Sequence, residues 1–382
     1  MRYRTRLYID LHLLYDNVEK IRRLCPHNQI LFMVKGDGYG HGMTQMVRFA
    51  VTELDIKEFG CATLGEARRL RDELPDLQFE VYVFSDTNLE FQSCADYYLH
   101  RRIIPVLSNL ADLEYVLSDR DFLFFPLCLK FNTGMNRLGI MPAEVDQVIS
   151  LFKKYQRKNI FHLITHFGTS SDLITSGSIT ERQYECFKAI KKQLLSAGIE
   201  IERSSAANSG AIEQGYALEE THIRPGLMLY GPSSLNASIR HQSLWTGRCI
   251  SRLETYIISA FNVKKGDGVG YGNRTIPEEG AIGLIAIGYG DGFNGRMQAP
   301  EIYYAGHRGY IFGRVNMDMT QVFFPGIDQS QLKLTDKIFI WGHAPSEVLR
   351  FADQTGAIPY ELFCGLTSRV PRLYGLDDLY GK

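Results

Sequence analysis

The sequence predicts an α/β protein: an N-terminal parallel (β/α)8 barrel of the TIM type, followed by a C-terminal, mostly antiparallel β domain. Three observations carry this. Eight short apolar runs alternate with stretches of helical spacing before about residue 231. Those runs are apolar enough to be buried on both faces, as parallel strands flanked by helices must be. Beyond that point helical spacing gives way to β-rich runs separated by Gly, Pro and Asp turns.

The eight runs are ILFMVK from Ile30, EFGCAT from Glu58, QFEVYVFS from Gln78, RIIPVLS from Arg102, FLFFPLCLKF from Phe122, IFHLITHF from Ile160, IEIERSSAANS from Ile199 and HIRPGLMLYG from His222. Each has strand length and ends in a turn. Between them, AEVDQVISLFKKYQ puts Val145, Val148, Ile149 and Phe152 on one helical face and leaves lysine, glutamine and aspartate for solvent, which marks a crossover helix. A doubly wound open sheet is the alternative arrangement of the same alternation. After Gly231 the runs CISRLETYIISAFNV, AIGLIAIGYGDGF, RGYIFGRVNMDM and DKIFIWG indicate antiparallel pairing. The expected division is residues 1–240 for the barrel and 241–382 for the β domain, with roughly the first ten residues packing on the β domain. No low-complexity linker separates the halves, so they are expected to pack closely.

A chain of 382 residues with 45% hydrophobic and 22% charged residues is long enough for a barrel plus a smaller domain. Its formal net charge of −1 gives no electrostatic reason to expect nucleic acid or an anionic membrane, leaving small molecules as partners. The N-terminus, MRYRTRLYIDLHLLYDNVEK, breaks its apolar residues with charges, so neither a signal-peptide core nor a spanning helix is expected, and a cytoplasmic location is. Seven scattered cysteines without a Cys-x-x-Cys pair predict neither a disulfide framework nor a metal site.

In a (β/α)8 enzyme the chemistry sits where strands end, and here those ends are polar. The first run ends in Lys35 and the fifth in Lys130, with Asn132 and Arg137 just beyond. The sixth ends in His166, the seventh in Asn208 and Ser209, and the eighth carries Arg224 followed by Gly226. Singly, each has an ordinary explanation: a lysine reaching solvent along its stem, a capping serine, a core histidine. Together they gather cations whose burial costs stability unless an anion compensates, and a phosphate-bearing cofactor supplies one. A lysine fixed at a strand end beside other cations also suits Schiff-base formation. Gly36, Gly38, Gly40 and Gly42 let the chain turn tightly behind Lys35, and the Tyr39 hydroxyl is placed to reach a phosphate.

With these residues assembled, the sequence resembles the alanine racemase family of pyridoxal 5'-phosphate (PLP) enzymes over almost its whole length. VKGDGYGHG is similar to the family's PLP-lysine motif, which implies Lys35 as the Schiff-base lysine and Tyr39 as a phosphate contact. KFNTGMNRLG is similar to the motif whose arginine, here Arg137, sits by the cofactor's phenolic oxygen and the substrate carboxylate. THFGTSSD implies His166 beside the pyridine-facing arginine, and AANSGA brings Asn208 and the phosphate-binding Ser209. RPGLMLYG implies Arg224 at the pyridine nitrogen, with Gly226 and Leu227 offering backbone N–H groups to the phosphate. In the β domain VGYGNRT implies Tyr271 as the second catalytic base, VNMDM implies Met317 binding the substrate carboxylate through its backbone, and PYELFCGLTSRVPR implies Tyr360 at the phosphate and entrance.

The resemblance implies interconversion of L- and D-alanine through an aldimine, Lys35 serving one face of Cα and Tyr271 the other. It also implies a homodimer with shared active sites, since the family's tyrosine reaches the other subunit. Three positions depart from the common pattern: Asn132 stands where many members have aspartate, Asn316 where many have cysteine, and Gly-Asp-Gly follows Lys35 where Ala-Asn-Ala is common. Rival readings are a racemase of another amino acid, such as serine or lysine, and a non-catalytic PLP-binding protein. A PLP decarboxylase of diamino acids is a third; it would pair the pyridine nitrogen with a carboxylate and use a cysteine where Arg224 and Tyr271 stand.

Overall fold

A computed structural model of the chain describes residues 3–87, 89, 92–293, 300–342 and 347–375. The eight apolar runs form one parallel sheet that closes on itself. Its strands are Gln29–Ile30 with Phe32–Met33 as the two halves of the first, then Glu58–Thr63, Glu80–Asp86, Ile103–Leu107, Cys128–Lys130, Asn159–Ile164, Glu200–Asn208 and His222–Arg224. Gln29 and Ile30 pair with the eighth strand, at His222 and Ile223. Phe32 and Met33 pair with the second, at Phe59 and Gly60, so the ring is complete and the open-sheet alternative is excluded.

Two strands are much shorter than their apolar runs. In the fifth, Phe122 ends a 3-10 turn, Arg120–Phe122, and pairing starts only at Cys128. Pro126 has no N–H to give a ladder, and the Arg157 guanidinium holds the carbonyls of Phe122 at 3.0 Å and Phe125 at 3.1 Å away from it. The eighth stops at Arg224 because Pro225 follows, and the chain then turns through Leu227–Tyr230.

The crossover helices follow the apolar stripes. Helix Val145–Lys154 buries Val145, Val148, Ile149 and Phe152, the face read from the sequence, and its last turn carries Lys153 and Lys154 where the helix dipole favours cations. Helix Leu64–Glu73 opens with a capping box between Thr63 and Glu66. Asp10 and Ser178 cap helices Leu11–Leu24 and Ile179–Ser196.

The second sheet runs in the order Glu301–Tyr304, His307–Ile311, Thr320–Pro325, Gly280–Ile285, Ser251–Val263, Arg6–Ile9, Arg372–Tyr374, with Lys337–Trp341 also paired to Ser251–Val263. All its pairings are antiparallel except Arg6–Ile9 with Arg372–Tyr374. The N-terminal strand thus belongs to this sheet, pairing Arg6 to Ile9 with Glu254 to Ser251. One apolar core runs through both halves, so they pack without a gap. A smaller cluster of Val263, Val269, Ile276, Ile282, Phe312 and Phe323 supports the hairpin Gly268–Val269/Arg274–Thr275, whose turn holds Tyr271. Among the described residues no helix is long and apolar enough to cross a membrane.

Candidate active site

Lys35 follows Val34, whose N–H is bonded to Gly60 of the second strand at 2.9 Å, so the lysine leaves the barrel from a fixed point. The chain then enters a left-handed turn: Gly36, Asp37 and Gly38 have φ of 63°, 54° and 64°. Two of these three positions are glycine, which occupies that region without the penalty a side chain brings. Gly40 and Gly42, also at positive φ of 76° and 82°, serve a close approach as well. A Cβ on Gly40 would sit 2.1 Å from the Phe363 carbonyl oxygen, and one on Gly42 would sit 2.0 Å from the Tyr374 hydroxyl. The turn is therefore wedged against the C-terminal segment, where the Tyr374 hydroxyl donates to the His41 carbonyl at 2.7 Å and the Arg372 guanidinium to the Gly40 carbonyl at 2.9 Å.

Around Lys35 stand Lys130, Arg137, His166 and Arg224. Burial, then Arg137, pushes the Lys35 amine below the usual lysine range. Burial, then Arg137, Arg224 and Lys35, brings Lys130 down to about 8. Arg137 lies on the exposed loop after the fifth strand, which Asn132 shapes by accepting from the N–H groups of Gly134 at 3.2 Å and Asn136 at 2.9 Å. Burial, then Arg224, holds the His166 imidazole well below its usual range, so it stays neutral.

Arg224 is buried, and its guanidinium donates to the Ser205 hydroxyl and to the carbonyls of Thr165 and Ala206. Burial lowers it to about 10, which leaves it a cation near neutral pH. All three acceptors are neutral.

Ser209 opens the short turn after the seventh strand, capped by Asn208, whose side-chain oxygen accepts from the Ala211 N–H at 3.3 Å and the Ser170 hydroxyl at 2.6 Å. The Ser209 hydroxyl receives the Gly226 N–H at 2.9 Å. A Cβ on Gly226 would lie 2.5 Å from the Tyr39 hydroxyl, so glycine is what lets tyrosine, serine and backbone meet. The Tyr39 ring packs 5.6 Å from that of Tyr360 and 4.8 Å from that of Tyr230. Burial raises the phenols of Tyr39 and Tyr360, so both remain hydrogen-bond donors.

These groups enclose a cavity of about 430 Å3 lined by Lys35, Tyr39, Lys130, Arg137, His166, Asn208, Ser209, Arg224, Gly226 and Tyr360 among others, with no carboxylate among the described lining residues. Leu227 is buried one residue behind the lining. Tyr271 and Met317 do not line the cavity of their own chain; the two residues are 70% and 54% exposed on the β domain. A larger cleft of about 960 Å3 lies at the opposite end of the barrel, around the strand starts Glu58, Glu80 and Ile104, away from every one of these groups.

Sequence reasoning missed two supports. Ser205 holds Arg224, and Glu66 accepts the Gly36 N–H at 2.7 Å. Neither has a signal of its own, since Ser205 is one of two adjacent serines in a strand and Glu66 reads as half of a capping box.

The family model described as the alanine racemase N-terminal domain matches residues 9–234, and that of the alanine racemase C-terminal domain matches residues 250–374. An alanine racemase of Photobacterium profundum is 31% identical over 379 residues, covering 96% of this chain and 98% of its own. One of Shewanella denitrificans is 32% identical over 377 residues, covering 96% and 97%. Among solved structures, alanine racemase from Acinetobacter baumannii superposes with a TM-score of 0.83 at 25% identity, covering 98% of this chain and 100% of its own. The biosynthetic alanine racemase from Pseudomonas aeruginosa does so with a TM-score of 0.83 at 27% identity and the same coverage. With both domains matched and a cation-lined cavity at the barrel mouth, the chain belongs to the alanine racemase family.

Proposed function

We propose that this protein interconverts L- and D-alanine with PLP as cofactor. The observation that carries the reading is the cavity itself: three cationic side chains, Lys130, Arg137 and Arg224, and no described carboxylate around one lysine at a strand end, the buried Arg224 having only neutral acceptors. Such a site wants an anionic partner, and it fits PLP. The Tyr39, Ser209 and Tyr360 hydroxyls offer donors to a phosphate, the Ser209 oxygen being held by the Gly226 N–H, while Arg224 offers one to an unprotonated pyridine nitrogen.

When bound, PLP supplies an aldehyde that condenses with an amine and a ring that spreads the charge left at Cα. Lys35 holds the cofactor and, once released by the substrate amine, moves a proton at one face of Cα. Arg137 orients the substrate carboxylate as a charge partner. Arg224, unable to give up its proton near neutrality, keeps the ring a weak electron sink, which favours return of the proton over side reactions.

The opposite face needs a second base, and in this reading Tyr271 of the partner subunit provides it, beside a neutral His166 and the positive field of Arg224. Its exposure, like that of Met317, supports a homodimer in which the β domain, taken as residues 241–382, completes the site on the barrel of the other chain, taken as 1–240. The test is to incubate PLP-loaded protein with L-alanine. Formation of D-alanine to a near-equal mixture, absent in Lys35→Ala, is expected, whereas carbon dioxide release or no turnover would count against the reading.

A further inference from the structure

Glu66 lies outside the cavity lining yet is bonded directly to the turn that carries Lys35. In the left-handed conformation of Gly36 to Gly38, the successive N–H groups of Gly36 and Asp37 converge and form a concavity for an anion. Glu66 Oε1 fills it, accepting from the Gly36 N–H at 2.7 Å and the Asp37 N–H at 3.4 Å. Its Oε2 accepts from the Ala62 N–H at 2.8 Å and the Thr63 N–H at 3.4 Å. One carboxylate therefore bridges the end of the second barrel strand to the residue after Lys35. Three residues on, the same helix sends the Arg69 guanidinium to Asp37 at 3.0 Å, so the turn is held from one helix by both signs of charge.

A capping box needs only the Oε2 half of this arrangement. The Oε1 half acts on Lys35, whose other charged neighbours include Lys130, Arg137 and Arg224. We propose that Glu66 is a positioning residue for Lys35: its carboxylate fixes the direction in which the amine leaves the strand and sets a compensating negative charge beside it. The proposal rests on the reading of Lys35 as the residue that condenses with the cofactor aldehyde. There the neutral amine attacks the carbonyl carbon, a C=N bond forms, and the carbonyl oxygen leaves as water.

The charge works in a known direction, since the glutamate raises the Lys35 amine against the lowering by burial and Arg137. Replacing it by a neutral side chain must shift amine deprotonation to lower pH.

The test measures the rate at which apoprotein captures PLP against pH, read from cofactor absorption, and the rate at which loaded protein releases it. In Glu66→Gln the acid limb of capture should move to lower pH by about half a unit, and release should quicken about tenfold. Glu66→Asp keeps the charge but shortens the reach, so it should quicken release while leaving the acid limb near its original place. Thr63→Ala removes only the hydroxyl that caps the Glu66 N–H at 3.2 Å and should change neither readout.

Wild-type capture and release in Glu66→Gln would overturn the proposal, as would an equal change in Thr63→Ala. If Glu66→Gln does not fold, wild-type release in Glu66→Asp overturns it alone. Borohydride reduction and peptide mapping of the wild-type protein separates the two levels: label on a lysine other than Lys35 overturns the site reading and this inference with it, whereas label on Lys35 leaves the outcome to the variants.

Discussion

A glycine and a histidine show how single residues set up this site. Gly226 lets the Tyr39 hydroxyl lie against the backbone beside Ser209, where the proposed phosphate would sit, and the Tyr39 ring, packed between Tyr230 and Tyr360, has little room to retreat. Gly226→Ala should therefore weaken PLP binding about tenfold, measured by titrating apoprotein, with a smaller loss in thermal stability. His41 is fully buried, with Nε2 at 2.9 Å from the Ser251 hydroxyl and Nδ1 at 2.8 Å from the Tyr39 carbonyl. Burial holds its imidazole down to about 4, whereas in an unfolded chain it titrates near 6.5. Its folded value lies below the unfolded one, so its contribution is complete above about pH 6.5 and is lost as pH falls towards 4. Between pH 7 and pH 5 that loss amounts to about 2 kcal/mol. Denaturant unfolding of the apoprotein should show the loss, and His41→Gln should show a smaller one. Lys35, Lys130 and Arg224 were legible in the sequence as candidates because a cation closing a barrel strand is conspicuous, whereas Arg137, on the loop beyond, stood out through its motif. Glu66 was not, because its second pair of hydrogen bonds exists only once the Lys35 turn is left-handed.

Among the elements, strand existence was legible and strand extent was not. All eight runs became barrel strands, since a continuous apolar run between helical stretches has few other places to go. The fifth run kept only three paired residues because Pro126 and the carbonyls tied to Arg157 lie inside it, and side-chain contacts of that kind leave no periodic trace. The glycine-rich turn was legible as a turn, but not its hand. Alternating glycines fit several tight geometries, and the left-handed one emerges from the packing against Met43 and the C-terminal segment. Gly38→Ala tests that hand. At φ 64° a Cβ costs about 1–2 kcal/mol and would also meet the Met43 backbone at 3.1 Å, so thermal unfolding should shift down. Gly177→Ala, at φ 78° but with open space around it, carries only the conformational part and should shift less.

For the whole molecule, the closed barrel supplies a cation-lined mouth, while the two groups expected to face the substrate from the β domain, Tyr271 and Met317, stand exposed on another part of the same chain. The motifs point to these residues, and only the family resemblance, not their spacing, implies that they face the site of a second subunit. If two copies share their sites, mixing inactive Lys35→Ala and Tyr271→Phe proteins should restore part of the activity through hybrid dimers with one intact site. No recovery after verified subunit exchange would count against sharing. The central claim, proton exchange at Cα with inversion, is tested most directly by incubating the PLP-loaded protein with single L-amino acids in D2O and following Cα deuteration and D-isomer formation together. Deuterated D-alanine is expected to form far faster than any other D-amino acid. Inversion of serine or lysine in preference to alanine, or no exchange with any amino acid, would contradict it.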